Sequence, residues 1–319
     1  MFRQTTTLVV GAGGSKDFSL PTGVELKNQI SSSVRFRFDH PFNNQTGGDK
    51  DLLRVLRQKF EQEELNEITV GGNVLSNSMS LFPSIDEALH YHSHDEKIVL
   101  LGKIAIAKTI IESEKKSWLN NRHNQEQAIF SSSEENWLSQ VLSLATSGST
   151  KEDARELFSK VRFINFNYDR TLEHFLFWSL QVRAGLSGDA AKEAMGALDV
   201  IRPYGSLGPL DWQEHGGVPF GGNRNPFELA TKICTFTERT ENDLVTQIDR
   251  MINQSKLVIF IGFGFHEQNL SLFEPIAGKR REPRDVWATV SGIHDENHDL
   301  ISKSLRRRIA KTNKPRLFP

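Results

Sequence analysis

The sequence predicts an α/β fold: a Rossmann-like parallel sheet of about six strands flanked by helices, with a large helical insertion after the first βα unit. Three observations lead there. Short β-branched runs recur along the chain, and several are apolar on both faces, as strands covered by helices on both sides are. Most of these runs end in glycine or a polar cluster. Finally, a long stretch of helical periodicity separates the first run from the others. A length of 319 residues suits one large domain or two modest ones. We read residues 1–30 and 155–319 as one discontinuous sheet domain and 31–154 as a helical insertion subdomain.

The first strand is Thr5–Val10, ending in Gly11-Ala12-Gly13-Gly14. Thr22-x-x-Glu25 is a capping box that opens a helix near Gly23 and leaves Ser15–Pro21 as a loop. In the insertion, Leu52–Leu65 has helical spacing, Ser84-x-x-Glu87 caps a helix through Leu89, and Lys97–Trp118 and Trp137–Leu144 are further helices. Phe42–Asp49 and Gly71–Ser80, rich in Gly, Asn and Ser, read as loops. The remaining strands are Val161–Phe166, Asp199–Ile201, Lys232–Phe236, Lys256–Ile261 and Asp285–Val290. In an open parallel sheet, ligands bind beyond the carboxyl ends of the strands, so the polar clusters should converge at one edge.

Composition narrows the function. Lys plus Arg is 39 and Asp plus Glu is 40, which excludes nucleic-acid binding through bulk charge. A single cysteine, Cys234, excludes an intramolecular disulfide and a multi-cysteine zinc site, and suits a cytoplasmic setting. The apolar run near the N-terminus is too short for a signal peptide, and no apolar stretch approaches the ~20 residues of a membrane span. His90 and His94, with Asp86 one turn earlier, have a chelating spacing but no evident third ligand, so we read a polar helix end and expect no metal. The basic tail (Lys303, Arg306, Arg307, Arg308, Lys311, Lys314, Arg316), with Gly278-Lys279-Arg280-Arg281, could grip nucleic acid or an acidic partner. A solvated helix end explains it as well and is preferred.

Four clusters carry the chemistry. Gly11-Ala12-Gly13-Gly14-Ser15 follows a strand, where glycines let a backbone approach a pyrophosphate; the G-x-G-x-x-G fingerprint is not met, since Lys16 takes its last position. A tight turn without ligand explains the same glycines. Phe166-Asn167-Tyr168-Asp169 with Glu173 comes next; an Asx turn capping the helix from Thr171 is its bland explanation. Tyr204-Gly205-Ser206-Leu207-Gly208 and Gly262-Phe263-Gly264-Phe265 with Asn269 complete the set.

In this order the clusters resemble the sirtuin-like domains of bacterial anti-phage proteins, over nearly the whole chain. Ser84-Ile85-Asp86-Glu87 and Gly102–Ala107 in the insertion share the likeness. The resemblance implies an NAD hydrolase that cleaves the nicotinamide–ribose bond to nicotinamide and ADP-ribose, depleting NAD on infection. It implies that Gly11, Ala12, Gly13 and Ser15 hold the diphosphate, that Asn167 orients a water or the ribose hydroxyls, and that Asp169 shapes the nicotinamide pocket. Gly262, Phe263 and Gly264 would line the adenosine side. His266 would flank it or act as a base. It also implies a homo-oligomer and a partner such as a motor ATPase.

Two departures stand out. The four-cysteine zinc module of protein-deacylating sirtuins is absent, which opposes deacylation. Where the family carries His before the glycine that is Gly205 here, this chain has Tyr204, which we place beside Asn167 as a catalytic candidate, its hydroxyl bonding the ribose, although a phenol with a reference pKa of about 10 is a poor base. An inactive NAD- or ADP-ribose-binding sensor or assembly subunit is therefore the alternative reading.

Overall fold

The computed structural model describes residues 2–39, 44–121, 129, 136–236, 238, 241–276, 282–310 and 313–319. Its centre is a sheet of six parallel strands: β1 (Thr6–Val10), β4 (Val161–Asn165), β5 (Asp199–Ile201), β6 (Leu257–Ile261), β7 (Asp285–Thr289) and β8 (Arg316–Phe318). A separate two-stranded antiparallel ribbon pairs β2 (Arg37–Asp39) with β3 (Asn44–Gly47). The sheet order is β5-β4-β1-β6-β7-β8, the doubly wound order of dinucleotide-binding folds. The chain moves outward from β1 through β4 to β5, returns to β6, then moves outward the other way. The crevice between the carboxyl ends of β1 and β6 is thus the topological switch point.

Alternation along β1 explains why the sheet needs helices on both faces. Val9 points into one apolar cluster, with Ile164, Val258, Phe260 and the helices Gly23–Ser33, Glu96–Lys116 and Glu241–Asn253. Leu8 and Val10 point into the other, with Phe163 and the helices Thr171–Val182 and Trp137–Thr146. The helices of the insertion share these clusters with the sheet and have no apolar core apart from it.

Thr22 caps its helix as expected: its hydroxyl accepts the Glu25 amide at 3.3 Å and its own amide donates to the Glu25 carboxylate at 2.7 Å. Several expectations are corrected. Lys232–Phe236 is not a strand; only Ile233 bridges, to Gly205, because the run meets a turn and not a sheet edge. The sixth strand comes from the basic tail, where Arg316 lies over the Trp287 ring at 5.9 Å and Phe318 packs on its edge. Gly71–Ser80 is mostly helix, within Gln62–Ser78. Its glycines are small for packing, not for turning: a Cβ on Gly72 would stand 2.6 Å from the Val34 carbonyl and 2.9 Å from Leu101. Leu52–Leu65 divides into Lys50–Arg57 and the start of Gln62–Ser78, and part of Phe42–Asp49 is β3. Ser15–Pro21 is not an open loop, since Ala12–Phe18 forms a 3₁₀ helix. Lys311 and 278–281 of the basic tail reading lie outside the described residues. Arg308 is buried and pairs with Glu274 at 2.7 Å and with Glu267, so part of the tail's charge is spent inside the molecule. No helix among the described residues is long and apolar enough to cross a membrane.

One buried ion pair ties the insertion to the sheet. Glu114, in the helix Glu96–Lys116, is fully buried and accepts from Arg170 Nε and from the Arg170 amide, each at 3.1 Å. Its second oxygen accepts from Arg170 Nη2 at 2.5 Å and from the Gly221 amide at 2.9 Å. Arg170 donates onward to the carbonyls of Val218 and Pro219. Removing one partner strands the other charge, which typically costs about 3–5 kcal/mol. Glu114→Ala should therefore lose about that much in urea unfolding, whereas Glu228→Ala in the exposed Arg224 pair should lose less than about 1 kcal/mol.

His174 supplies a pH signature. It is buried, stacks on Phe220 at 4.4 Å, and burial depresses its pKa to about 3. The unfolded chain takes up this proton near pH 6.5 and the folded protein does not, so stability is retained above 6.5 and falls as pH drops toward 3. His174→Phe should flatten that slope in unfolding midpoints measured across the range.

Candidate functional site

The switch point is built from two glycine turns pressed together. After β1, Gly11 donates its amide to the Ile261 carbonyl and Gly13 to the Gly262 carbonyl, both at 3.0 Å. A Cβ on Gly11 would stand 2.6 Å from the Gly262 carbonyl oxygen, and one on Gly262 would stand 2.0 Å from the Gly14 amide nitrogen. Gly262 also has φ +56°, a left-handed conformation that suits glycine. The amides of Gly11, Gly13 and Gly14 are engaged within the protein. These glycines are therefore accounted for by backbone packing, which holds the mouth of the crevice rigid.

Strain gathers here as well. Among the described residues, the non-glycine residues with left-handed φ are Ser19 and Phe265, one on the segment after β1 and the other on the loop after β6. Such conformations persist only where the surroundings over-determine them, and they cluster at functional sites. The insertion does much of that holding. Trp137 Nε1 donates to the Gly14 carbonyl at 2.7 Å, Trp118 Nε1 to Asp17 at 2.9 Å, and Ser117 Oγ to Phe18 at 2.6 Å.

Asn167 stands beside this turn at the end of β4, 4% exposed. Its Nδ2 donates to the Gly11 carbonyl at 3.0 Å and to Ser15 Oγ at 2.8 Å. Its backbone is fixed too: the amide donates to Asn165 Oδ1 at 3.0 Å, and the carbonyl accepts from Arg202 Nη1 at 2.7 Å. Arg202 is itself aligned by Glu173, at 2.6 and 2.8 Å from its Nη2. Asn167 Oδ1 is buried and has no hydrogen-bond partner. An acceptor in that state normally costs stability, so a tightly positioned one calls for an explanation.

Asp169 caps the next helix, accepting the Thr171 amide at 3.0 Å, which is the Asx turn weighed from the sequence. Tyr204 is buried; its hydroxyl donates to Asn269 Oδ1 at 2.6 Å and its ring lies 6.3 Å from that of Tyr168. Burial pushes the Tyr204 phenol well above its ordinary pKa, with Asp86 and Glu87 adding to the rise. It is a fixed donor and not a base at neutral pH. Phe263 is buried in the aromatic cluster with Phe166, Phe260 and Phe273, Gly264 is exposed, and His266 is partly buried, its pKa lowered by burial.

The structure adds a residue pair that spacing did not reveal. Tyr168 donates its hydroxyl to Asp86, in the first turn of the helix Ile85–Tyr91 capped by Ser84. Burial raises the Asp86 carboxyl to about 6, against the lowering effect of that hydrogen bond. Among the described residues no group of three or more His, Cys, Asp or Glu could hold a metal ion. Glu114 carried a readable signal, falling on the apolar stripe four residues after Ile110. The Trp137 and Trp118 contacts carried none.

No protein-family model matches this chain, and no curated protein does.

The pressed glycine turns make a sharp contrast testable. Gly262→Ala must push Gly14 aside and adopt a strained φ, so it should cost about 1–3 kcal/mol or more in denaturant unfolding. Gly264→Ala would meet only the movable His266 ring and should cost less.

Proposed function

We propose that the carboxyl edge of this sheet binds NAD and hydrolyses its nicotinamide–ribose bond, yielding nicotinamide and ADP-ribose, in the manner of the sirtuin-like defence domains. Depletion of NAD in anti-phage defence is the setting this reading suggests. The observation that carries it is Asn167: at the switch point, with its amide nitrogen pinned by Gly11 and Ser15, and with a buried acceptor oxygen left unpartnered. A ribose hydroxyl or a water is the kind of donor that would satisfy Oδ1. Ser15, Gly264 and His266 surround the same edge and would contact the dinucleotide. No residue of the chain supplies a Cys₄ zinc module, so protein deacylation is not proposed.

Tyr204 favours a second reading. A phenol locked to Asn269 in the place of the family's histidine suits a domain that binds NAD or ADP-ribose without turning it over. Incubating the purified protein with NAD and measuring released nicotinamide by chromatography separates the two. The hydrolase reading expects turnover, with Asn167→Ala slowing it by about 100-fold or more, since orientation at the reacting carbon supplies several kcal/mol. Calorimetric binding of ADP-ribose with no nicotinamide release would support the sensor instead.

A further inference from the structure

A hydrolytic water must give up a proton, and most groups at this edge cannot take it. Tyr204 is a donor to Asn269, Asp169 is capping Thr171, Glu173 is engaged by Arg202, and Asn167 does not titrate. Asp86 differs. It reaches the edge from the insertion, where Tyr168, the residue next to Asn167, donates to one of its carboxyl oxygens. Its helix starts at Ile85, so the carboxylate sits on a rigid first turn, held by a cap from Ser84 at 3.2 Å.

We propose that Asp86 is the proton acceptor for the attacking water, with Tyr168 as the positioning residue that holds it, so that the insertion completes the site. The proposal rests on the NAD-hydrolase reading. In the step, the bond between the ribose carbon and the nicotinamide nitrogen breaks and its electron pair stays on that nitrogen. The water oxygen bonds to the ribose carbon, and the released proton passes to the Asp86 carboxylate. No other reactant is needed.

The surroundings tune this carboxyl. Tyr168 and Tyr204 face it from the sheet edge, with Cys234 close to Tyr168. Glu87 lies on its own helix, and both Glu87 and Lys27 act on His266. Burial raises Asp86 to about 6, so at pH 7.5 it is mostly ionised yet more basic than an ordinary aspartate.

The test combines nicotinamide release with ADP-ribose calorimetry, on wild type, Asp86→Asn, Tyr168→Phe, Glu87→Gln and His266→Ala. Asp86→Asn should slow kcat by about 100-fold or more while ADP-ribose affinity stays within about threefold. The wild-type rate should fall below pH about 6, as Asp86 protonates, and the residual Asp86→Asn rate should lack that limb. Tyr168→Phe removes a hydrogen bond that favours the carboxylate, so the limb should move to higher pH, a shift that loss of packing alone would not produce. Glu87→Gln and His266→Ala should retain the limb at whatever rate they keep. Wild-type turnover in Asp86→Asn, persistence of its limb, or loss of the limb in His266→Ala would overturn the assignment and leave the hydrolase reading standing. Binding of ADP-ribose by the wild type without nicotinamide release would overturn the hydrolase reading and the proton step with it, in favour of the sensor. Neither binding nor turnover would overturn the hydrolase, the sensor and the proton step together.

Discussion

The arrangement depends on where one buried charge can be neutralised. Arg170 lies immediately after the Asn167–Asp169 turn, inside the protein, and an unpaired guanidinium there would be untenable. Glu114 is its counterion, and it is presented by the long helix of the insertion. The polar atoms of both are further satisfied by backbone groups at Val218, Pro219 and Gly221. Because the geometry is bidentate, it fixes orientation as well as distance. The insertion helix, the helix after β4 and the 218–221 loop are thereby locked into one relation, and the residues around Asn167 inherit it.

The rest of the site is organised by similar exclusions. Two glycine turns touch because a side chain on either would collide with backbone. Asn167 cannot rotate freely, since its amide nitrogen has two acceptors and its carbonyl is held by Arg202. Tyr204 cannot swing toward a ligand without giving up Asn269 and its aromatic neighbours Phe166 and Tyr168. What remains adjustable are partly exposed side chains at the rim, such as His266. Preorganisation is a general route to catalytic electrostatics, because dipoles fixed in advance need no reorganisation during reaction.

Much of the framework was legible in the sequence because it is local. Central parallel strands reveal themselves as runs apolar on both faces, and caps such as Thr22 with Glu25 span four residues. The clusters at strand ends were legible for the same reason, and the sheet brings Asn167 to within hydrogen-bonding distance of the Gly11 turn. What was hidden is non-local or depends on shape. Gly71 and Gly72 resemble loop residues until the neighbouring helix is seen to need their small size. Lys232–Phe236 has strand composition but no sheet edge to join, whereas Arg316–Phe318 has little strand character and finds one beside β7. Tyr168 and Asp86 lie 82 positions apart, and no periodicity links them.

The placement of β1 has a consequence for the newborn chain. β1 leaves the ribosome ahead of the other strands of its sheet and occupies the sheet's middle, yet its partners are β4, beginning at Val161, and β6, beginning at Leu257. Leu8, Val9 and Val10 therefore wait with both strand edges unpaired until β4 has been made, and with one edge unpaired until β6 has, and such edges invite pairing with other chains. The helices between them are rich in local contacts and can form early. The helices share their apolar core with the sheet and cannot complete it alone, and the glycine turns meet only when residue 262 has emerged. A nascent polypeptide stalled before that point carries no assembled crevice, so translation itself delays the moment at which this protein could act on anything in the cell.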